Sequence, residues 1–511
     1  SRYSFSKKDL EQIKALGLTR QDVEKQLAVF ARGPGFLKLN RPCTPGDGIM
    51  AVTPEQRKKL VRQFDAEAGR HRLLKFVPAS GAASRMFSHW FAAASQGGFG
   101  SVPDDRAFYR NLKKMPFAPL LDQDENARRH LKQKNIPGIL DYILSEEGLH
   151  YGWLPKALIH FHAYPEGEMR TALEEHLVEA ACYIGDSKKI CHIHVTLSQE
   201  HILKVKEKLR EVKGRLEHRF QVRMKVGHSV QSPSTSIIAV DENLAPFRDR
   251  EGRLVFRPGG HGALLKNLAS LEADLIFVKN IDNIVPHNLL QKILPYKKML
   301  GGLALQIQRS VFSILRDMEK GAVTSATIDS YAQFCRQTLN VVFPAGFDHW
   351  ASAQKKKKIF SVLNRPLRIC AMVRNEGEPG GGPFWVEEKD ATQTLQIVES
   401  AHVDSRDPGQ QTVWRNSKFF NPVDMVCCIR DYRGRKFNLD RYVNSEACLI
   451  SGKTEKGRKL LAQELPGLWN GSMALWNTVF VELPLAVFNP VKTVDDLLRP
   501  QHTAGKRIRK R

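Results

Sequence analysis

The sequence lacks the features that mark secreted and membrane-spanning proteins. No uninterrupted apolar run in its 511 residues reaches the roughly 18–20 residues that cross a bilayer, and its start, SRYSFSKKDLEQIK, has no signal-peptide-like apolar stretch. Its eight cysteines show no CxxC spacing and stand in apolar surroundings such as RICAMV and DMVCCI, which predicts buried, reduced thiols. We therefore expect a cytoplasmic protein with no membrane span.

Acidic residues are few relative to basic ones, 54 against 78, so the formal net charge is +24. The apolar share of 42% and the charged share of 26% lie near the averages for globular proteins, which excludes global disorder. At roughly 100–200 residues per domain, the length predicts two to four domains or one large α/β enzyme. A diffuse basic surface suits anionic ligands such as nucleotides, sugar phosphates or nucleic acid.

Helix start signals dominate the first seventy residues. Ser6, Thr19 and Thr53 are each followed three residues later by an Asp or a Gln, as N-caps are. Apolar residues then recur at helical spacing, as at Leu10 and Ile13. The segment 1–70 is therefore predicted to be a helical N-terminal extension.

Strands alternate with helices from Leu73 onward. Strands are predicted at LLKFV, KICHIHVTLS, DLIFVKN, PLRICAMV, TLQIVES, DMVCCI and TVFVELPL, and KKKK at 355–358 is predicted to be a solvated helix face. This alternation predicts an α/β fold with a mixed, mainly parallel sheet flanked by helices. We place the α/β domain at 71–440 and a C-terminal cap with a basic tail, KRIRKR, at 441–511.

A stretch of small residues between a predicted strand and a predicted helix is the first candidate site. Small side chains let backbone N–H groups approach phosphate oxygens, and the start of a helix adds a positive dipole end. Arg85 could contact a phosphate directly, whereas the alternative is tight packing alone. The candidate residues are Ala79, Ser80, Gly81, Ala82, Ser84 and Arg85.

Two further segments combine glycine, histidine or carboxylate with a position next to a helix or a strand. In RPGGHGALLKNL, Gly259, Gly260 and Gly262 would let a flat ligand lie against the backbone beside His261, unless this histidine is structural. In KNIDN, Asp282 follows a strand and could hold Mg²⁺ bridging phosphates; the alternative is an Asx turn that closes the strand.

Carboxylates and amides near later strands could contact sugar hydroxyls. The glycine-rich loop NEGEPGGGP could fold over a polyhydroxylated substrate or be a plain surface loop. The sugar-binding candidates are Glu376, Gly377, Gly381, Gly382, Glu399 and Asn421. We expect no zinc site, because the His160–His162 and His192–His194 pairs have no evident further ligands. Trp469 and Asn470 are assigned to a packed cap.

Four blocks, in order, resemble the motifs of UDP-N-acetylglucosamine and UDP-glucose pyrophosphorylases. PASGAASRM, the Leu154-Pro155-Lys156 block, RPGGHGAL and KNIDN stand where those enzymes carry LAGGxGTRL, a PK lysine, PxGHG or PxGNGG, and N-x-D-N. Ser80 and Ala83 replace glycines of the usual loop, and about seventy residues separate Arg85 from Lys156. Over nearly its full length the chain is also similar to a bacterial family known only as domain of unknown function 4301, which implies no activity.

The pyrophosphorylase resemblance implies a GT-A-like, Rossmann-like nucleotidyltransferase with Mg²⁺ as cofactor. It implies that Arg85 and Lys156 neutralise a triphosphate and that Asp282 holds the metal. The implied nucleotide-binding set is Ala79, Ser80, Gly81, Ala82, Ser84, Gly259, Gly260, His261, Gly262 and Asn283, and the six sugar-binding candidates would lie on the sugar side. The substrates would be a nucleoside triphosphate and a sugar 1-phosphate.

Two alternatives stay open. A GT-A-type glycosyltransferase would hold a finished nucleotide sugar through an acidic metal ligand. A non-catalytic nucleotide- or nucleic-acid-binding protein would use the positive charge, although the sequence contains no recognisable nucleic-acid module or aromatic platform. An arginine directly after a small-residue loop favours a triphosphate, and so favours the nucleotidyltransferase.

Overall fold

The computed structural model describes residues 3–321, 323–390 and 392–507, so residues 508–511 of the predicted basic tail lie outside the described residues. The fold is mixed α/β, with mainly parallel strands flanked by helices, which confirms the predicted fold class. The α-helices of the described residues are α1 (Lys7–Ala15), α2 (Arg20–Arg32), α3 (Pro54–Glu67), α4 (Ser88–Gln96), α5 (Val102–Leu112), α6 (Ala118–Gln123), α7 (Glu125–Lys132), α8 (Ile136–Leu144), α9 (Ala172–Ala181), α10 (Ile202–Phe220), α11 (Leu264–Ala269), α12 (His287–Lys320), α13 (Ser325–Leu339), α14 (Ser352–Leu363), α15 (Pro408–Arg415) and α16 (Pro500–Thr503).

The strands include every one predicted from the sequence. Within the described residues they are β1 (Lys38–Pro42), β2 (Thr44–Pro45), β3 (Gly48–Met50), β4 (Leu73–Pro78), β5 (His160–Ala163), β6 (Met169–Thr171), β7 (Ile190–Leu197), β8 (Arg223–Val230), β9 (Ile237–Ile238), β10 (Phe256–Arg257), β11 (Leu275–Lys279), β12 (Leu367–Arg374), β13 (Gly382–Glu387), β14 (Gln393–Val398), β15 (Phe419–Phe420), β16 (Asp424–Cys428), β17 (Leu449–Glu455), β18 (Arg458–Glu464) and β19 (Asn477–Glu482).

The three predicted N-caps are confirmed. Ser6 and Thr19 form capping boxes with the third residues of α1 and α2, and the Thr53 hydroxyl accepts a hydrogen bond from the backbone N–H of Gln56 at 3.2 Å. Between α2 and α3, however, the chain forms β1, β2 and β3, which the helical pattern did not predict. β1 is held by β13, which is remote in sequence, and local patterns carry no information about such a partner.

The chain divides into two compact units, each built from separate stretches of sequence. Unit 1 comprises residues 1–56, 231–275 and 300–484, and unit 2 comprises residues 57–230, 276–299 and 485–511. The segments 1–70, 71–440 and 441–511 stay a prediction.

Unit 1 carries a mixed sheet and an antiparallel one. In the mixed sheet the strand order is β2-β3-β19-β12-β16, with β12 parallel to β19 and antiparallel to β16. The antiparallel sheet has the order β1-β13-β14, and Gly382 pairs with Val398 in its register. A buried cluster joins α1 and α2 to β9 through residues such as Ile13, Leu27 and Ile238.

Unit 2 carries strands in the order β11-β4-β7-β8, and β4, β7 and β8 are parallel. All residues of β11, and all of β4 except Pro78, are buried. Such strands, buried on both faces, form near-continuous apolar runs. The Ile281 N–H donates to the Pro78 carbonyl oxygen at 3.3 Å, so the loop after β4 and the KNIDN block after β11 lie at the same sheet edge.

The predicted burial of the thiols is confirmed for seven of the eight cysteines, and the predicted exposure of the lysine run at 355–358 is wrong at Lys355. All eight cysteines are free, and all but the half-buried Cys182 are buried. None of the described helices combines the length and the apolarity that a membrane span needs. The lysine run lies on α14, but Lys355 is buried and donates a hydrogen bond to Asp329 at 2.8 Å.

Candidate functional site

The loop after β4 presents backbone N–H groups to solvent. The N–H of Ala79 donates to the Thr196 carbonyl oxygen at 3.2 Å, and that of Ala83 donates to the Leu154 carbonyl oxygen at 3.0 Å. Between them, the N–H groups of Ser80, Gly81 and Ala82 have no hydrogen-bond partner within the described residues. Three consecutive amides are therefore free to donate to an anion.

Lys156 lies beside this loop although about seventy residues separate them in sequence. Its N–H donates to the Gly81 carbonyl oxygen at 3.3 Å, and Pro155 forms a β-bridge with Ala82. The intervening chain folds into α4, α5, α6, α7 and α8. The long insertion thus leaves the predicted pairing of loop and lysine intact.

Asp282 accepts hydrogen bonds from two lysines. Its Oδ2 lies 3.2 Å from the Nζ of Lys156 and 3.0 Å from the Nζ of Lys492, while its Oδ1 has no partner within the described residues. The Lys156 ammonium also donates to the Val491 carbonyl oxygen at 2.9 Å. Burial lowers the pKa of Lys156, and the Asp282 carboxylate opposes that shift. Two ammonium groups against one carboxylate leave this cluster net positive.

Three other predicted site residues of unit 2, Ser84, Arg85 and Asn283, make no hydrogen bond to Lys156 or to the Asp282 side chain within the described residues. Ser84 and Arg85 are exposed, and Arg85 has no hydrogen bond or ion pair within the described residues. The α-helix begins only at Ser88, so the positive dipole end expected at the loop lies beyond it. Asn283 is buried, and its Oδ1 accepts from the Asn489 N–H at 2.9 Å, which fixes the C-terminal segment.

A buried charge cluster on α9 supports this sheet edge. Glu179 accepts hydrogen bonds from Lys75 of β4 at 3.1 Å and from Lys279 of β11 at 2.7 Å. His176 donates from Nε2 to the Ile281 carbonyl oxygen at 3.0 Å. Burial lowers the pKa of Lys75 to about 7. Burial also opposes the ionisation of Glu179, but the charges of Lys279, Lys75 and Lys297 outweigh it and hold the pKa of Glu179 well below its usual range. One carboxylate thereby ties together the two strands that carry the loop and Asp282.

In unit 1, His261 is held by the segment 464–470. The Leu468 N–H donates to His261 Nδ1 at 3.1 Å, so the neutral ring carries its proton on Nε2. The ring stacks on Trp469 with centroids 4.6 Å apart. Burial lowers the pKa of His261 to about 4, so the imidazole is neutral at pH 7.

The glycines around His261 allow the chain to pack against itself. A side chain at Gly262 would overlap the Pro466 carbonyl oxygen, and one at Gly259 would overlap the Thr235 carbonyl oxygen to a smaller extent. Gly260 has a φ of 70°, which favours glycine, and a Cβ there would meet Glu464. The space beside each of these glycines is therefore occupied by other residues of this chain. Contact of this segment with a nucleotide stays a prediction.

Three of the predicted sugar residues lie close together in unit 1. Gly381 and Glu399 lie just outside the paired residues Gly382 and Val398, and the Asn421 N–H donates to the Gly381 carbonyl oxygen at 2.8 Å. The Asn421 side chain accepts from the backbone N–H two residues later. Burial raises the pKa of Glu399.

Gly382 is buried at the start of β13, where a side chain would crowd Phe384. Glu376 and Gly377 are exposed in the loop before it, and the structure gives Glu376 no contact with the other sugar candidates within the described residues.

Sequence reasoning did not single out Lys492, and it assigned Trp469 and Asn470 to a packed cap rather than to a site. Asn470 donates to the Ile397 carbonyl oxygen at 3.2 Å and hydrogen-bonds Glu399, while its Oδ1 is buried without a partner in the described chain. Buried Arg368 donates to the Trp469 carbonyl oxygen at 2.6 Å and so fixes this segment. The adjacent Trp469 and Asn470 were the sequence feature that could have drawn attention to this segment. Nothing in the local sequence distinguishes Lys492 from other surface lysines.

Within the described residues, no group of three or more histidine, cysteine, aspartate or glutamate side chains is arranged to hold a metal ion. His162 instead pairs with Glu175 at 2.9 Å and with His502 at 3.0 Å. His160 contacts the Tyr151 hydroxyl at 2.7 Å, and His194 contacts Ser229.

The chain belongs to the family described as Domain of unknown function (DUF4301), whose sequence model matches residues 6–503. A search of curated proteins finds no match.

Among solved structures, the chain is similar to UDP-glucose pyrophosphorylase from Leishmania major, in a study of its open and closed forms. The identity is 12% and the TM-score 0.46, over 97% of this chain and 79% of that one. Another Leishmania major structure of this enzyme, a complex with UDP-glucose, has 12% sequence identity and a TM-score of 0.45. The similarity covers 97% of this chain and 79% of that one. A UDP-glucose phosphorylase from Trypanosoma brucei gives 13% and 0.44, over 96% of this chain and 77% of that one.

Proposed function

We propose that this member of the DUF4301 family is a Mg²⁺-dependent sugar-phosphate nucleotidyltransferase with a GT-A-like fold. It would convert a nucleoside triphosphate and a sugar 1-phosphate into a nucleotide sugar and pyrophosphate. One observation carries the proposal: unit 2 brings the free amides of the β4 loop, Lys156 and Asp282 to one sheet edge. Their motifs are far apart in sequence and resemble, in the same order, those of pyrophosphorylases, apart from Ser80 and Ala83 in the loop.

The chain's own residues would supply alignment and charge neutralisation. A sugar 1-phosphate oxygen would attack the α-phosphorus, a new O–P bond would form, and the bond to the β-phosphate would break with its electron pair leaving on pyrophosphate. The nucleophile is already an anion, so no general base is required. The Ser80, Gly81 and Ala82 amides, Lys156 and exposed Arg85 would balance the phosphate charge, as positioning and electrostatics do in phosphoryl transfer.

Asp282 fits a role in holding Mg²⁺ together with phosphate. Its Oδ1 is free of protein partners in the described chain, and Mg²⁺ is usually held by one or two carboxylates plus substrate phosphates. Two lysines on Oδ2 disfavour a bare cation there, so we expect the metal to bind with the nucleotide. When bound, Mg²⁺ would neutralise phosphate charge. Lys156 and Lys492 would then be free to turn from Asp282 to the phosphates.

For unit 1, the motif resemblance assigns the segment around His261 to a nucleotide and Glu399 to a sugar, and these assignments stay predictions. The His261 ring stacks on Trp469, and Asn470 Oδ1 is a buried acceptor without a partner in the described chain.

The test is pyrophosphate release from ATP, CTP, GTP or UTP with a panel of sugar 1-phosphates and Mg²⁺. We expect one triphosphate to react, dependent on a sugar 1-phosphate, with Lys156→Met and Asp282→Asn slower by at least about a hundredfold. Lys58→Met, at an exposed lysine of α3, should keep full turnover.

Two outcomes would change the assignment. An Asp282→Asn protein with full turnover would remove the metal role of Asp282. Hydrolysis or transfer from a finished nucleotide sugar, with no reaction of any triphosphate, would favour a glycosyltransferase.

A further inference from the structure

A cavity of about 1150 Å³ lies among the helices α5, α6, α7 and α8 of unit 2. All of its lining residues fall between residues 102 and 136, inside the long insertion that separates Arg85 from Lys156. None of them takes part in the proposed transfer reaction. Its volume is slightly larger than the roughly 300–1,000 Å³ of typical small-molecule sites.

The floor of this α5–α8 cavity is aliphatic. Leu112, Leu121 and Ile136 are buried, and Val102 at the edge is 63% exposed. The hydroxyl of Tyr109 is buried and has no hydrogen-bond partner in the described chain.

The rim of the cavity is strongly cationic. Six basic side chains face two carboxylates, those of Asp105 and Asp122, and Asp105 already accepts from the Phe99 N–H at 2.8 Å. Arg128 donates to the Asp122 carbonyl oxygen, and the remaining five basic residues have no ion-pair partner among the described residues. The six basic residues are Arg106, Arg110, Lys113, Arg128, Lys132 and Lys134. Uncompensated charge of one sign around a concave surface attracts the opposite charge.

We propose that the α5–α8 cavity binds a single-chain anionic amphiphile, with its phosphate or carboxylate head at the cationic rim and its hydrocarbon chain on the aliphatic floor. A nucleic acid is disfavoured because Tyr109 is the only aromatic side chain lining the cavity, whereas bases need aromatic platforms. A simple inorganic anion would leave the apolar floor unused.

The probes are decyl and dodecyl phosphate below their micelle concentrations, measured by calorimetry with inorganic phosphate and dodecyl maltoside alongside. Each further buried CH₂ adds to affinity, so dodecyl phosphate should bind about tenfold more tightly than decyl phosphate. Inorganic phosphate and the uncharged maltoside should each bind at least tenfold more weakly than dodecyl phosphate. Equal binding by either of them would overturn the proposal.

Charge-reversal variants locate the head group. Arg106→Glu with Arg110→Glu should weaken dodecyl phosphate at least tenfold, and Val102→Asp should reduce the dependence on chain length. Lys58→Glu with Lys59→Glu, the same charge change on α3, should leave binding unchanged. Lys132→Glu with Lys134→Glu tests the rim a second time, should the first pair fail to fold.

Two further experiments distinguish binding in the cavity from binding to a membrane surface or a nucleic acid, and from the proposed transfer reaction. Binding to phosphatidylglycerol vesicles or to oligonucleotides without binding of monomeric dodecyl phosphate would refute the cavity as the site. Lys156→Met should retain dodecyl phosphate binding, so the proposal stands or falls separately from the transfer reaction.

Discussion

Replacing Glu179 by glutamine should destabilise the protein much more than replacing Lys75 by methionine. Glu179 is fully buried and accepts from two buried ammonium groups, at 3.1 Å and 2.7 Å. Glu179→Gln would leave both without a counter-charge, which typically costs about 3–5 kcal/mol. Lys75→Met keeps the pair between Glu179 and Lys279 and removes one buried charge, so we expect a change within about 1.5 kcal/mol of zero, or a stabilisation.

The lowered pKa of Lys75 also predicts how the free energy of unfolding changes with pH. Burial lowers the pKa of Lys75 from its ordinary 10.5 to about 7, so between these values the unfolded state binds a proton that the folded state lacks. The free energy of unfolding therefore gains a contribution that rises with pH, by at most about 1.4 kcal/mol per pH unit. Lys75→Met should lose that contribution.

Urea unfolding at pH 7, 8 and 9 measures both effects through the midpoint and the slope. The reasoning would be refuted if Lys75→Met were as destabilising as Glu179→Gln at pH 7. It would equally fail if the rise in stability with pH persisted unchanged in Lys75→Met, because the proton would then belong to another group.

Two further predictions concern unit 1. Arg248 pairs with Asp9 at 2.8 Å and lowers the pKa of Asp9 to about 2. The contribution of this ion pair to the free energy of unfolding is present above pH 3.8 and is lost as the pH falls through 2. Because the arginine is partly exposed, we expect Arg248→Ala to lower the free energy of unfolding, measured by urea titration, by about 1 kcal/mol at pH 7 and by less at pH 2. The pKa of His261 is lowered to about 4, so folding loses stability as the pH falls from 6.5 toward 4. His261→Gln should flatten that acid limb in unfolding experiments at pH 7, 6 and 5; an unchanged limb would contradict the buried, neutral ring.

The sequence predicted those parts of the fold that local chemistry decides. Ser6 caps α1 by a hydrogen-bonded exchange with a residue three positions later. The short apolar runs at β4 and β11 predicted buried strands, and both strands are buried. β1 was missed, since its partner β13 lies more than three hundred residues away. No short window contains that information.

The same division holds for the candidate site. The pyrophosphorylase resemblance implied that the loop at Gly81, Lys156 and Asp282 act on one ligand, and the structure places these residues next to one another. Lys492 and Asn470 were missed because each reaches its partner through tertiary packing. The glycines around His261 were assigned to a ligand, whereas their space is filled by the segment that includes Pro466, which no sequence pattern links to them.

The most direct measurement is the thermal shift of the protein with each of the four nucleoside triphosphates and Mg²⁺, in the unaltered protein and in Lys156→Met. A ligand that binds only the folded state raises the midpoint of unfolding. We predict a shift with one triphosphate, lost in Lys156→Met and in Arg85→Ala and retained in Lys58→Met. No shift with any triphosphate, or a shift that Lys156→Met leaves unchanged, would contradict the assignment of this sheet edge as a triphosphate site.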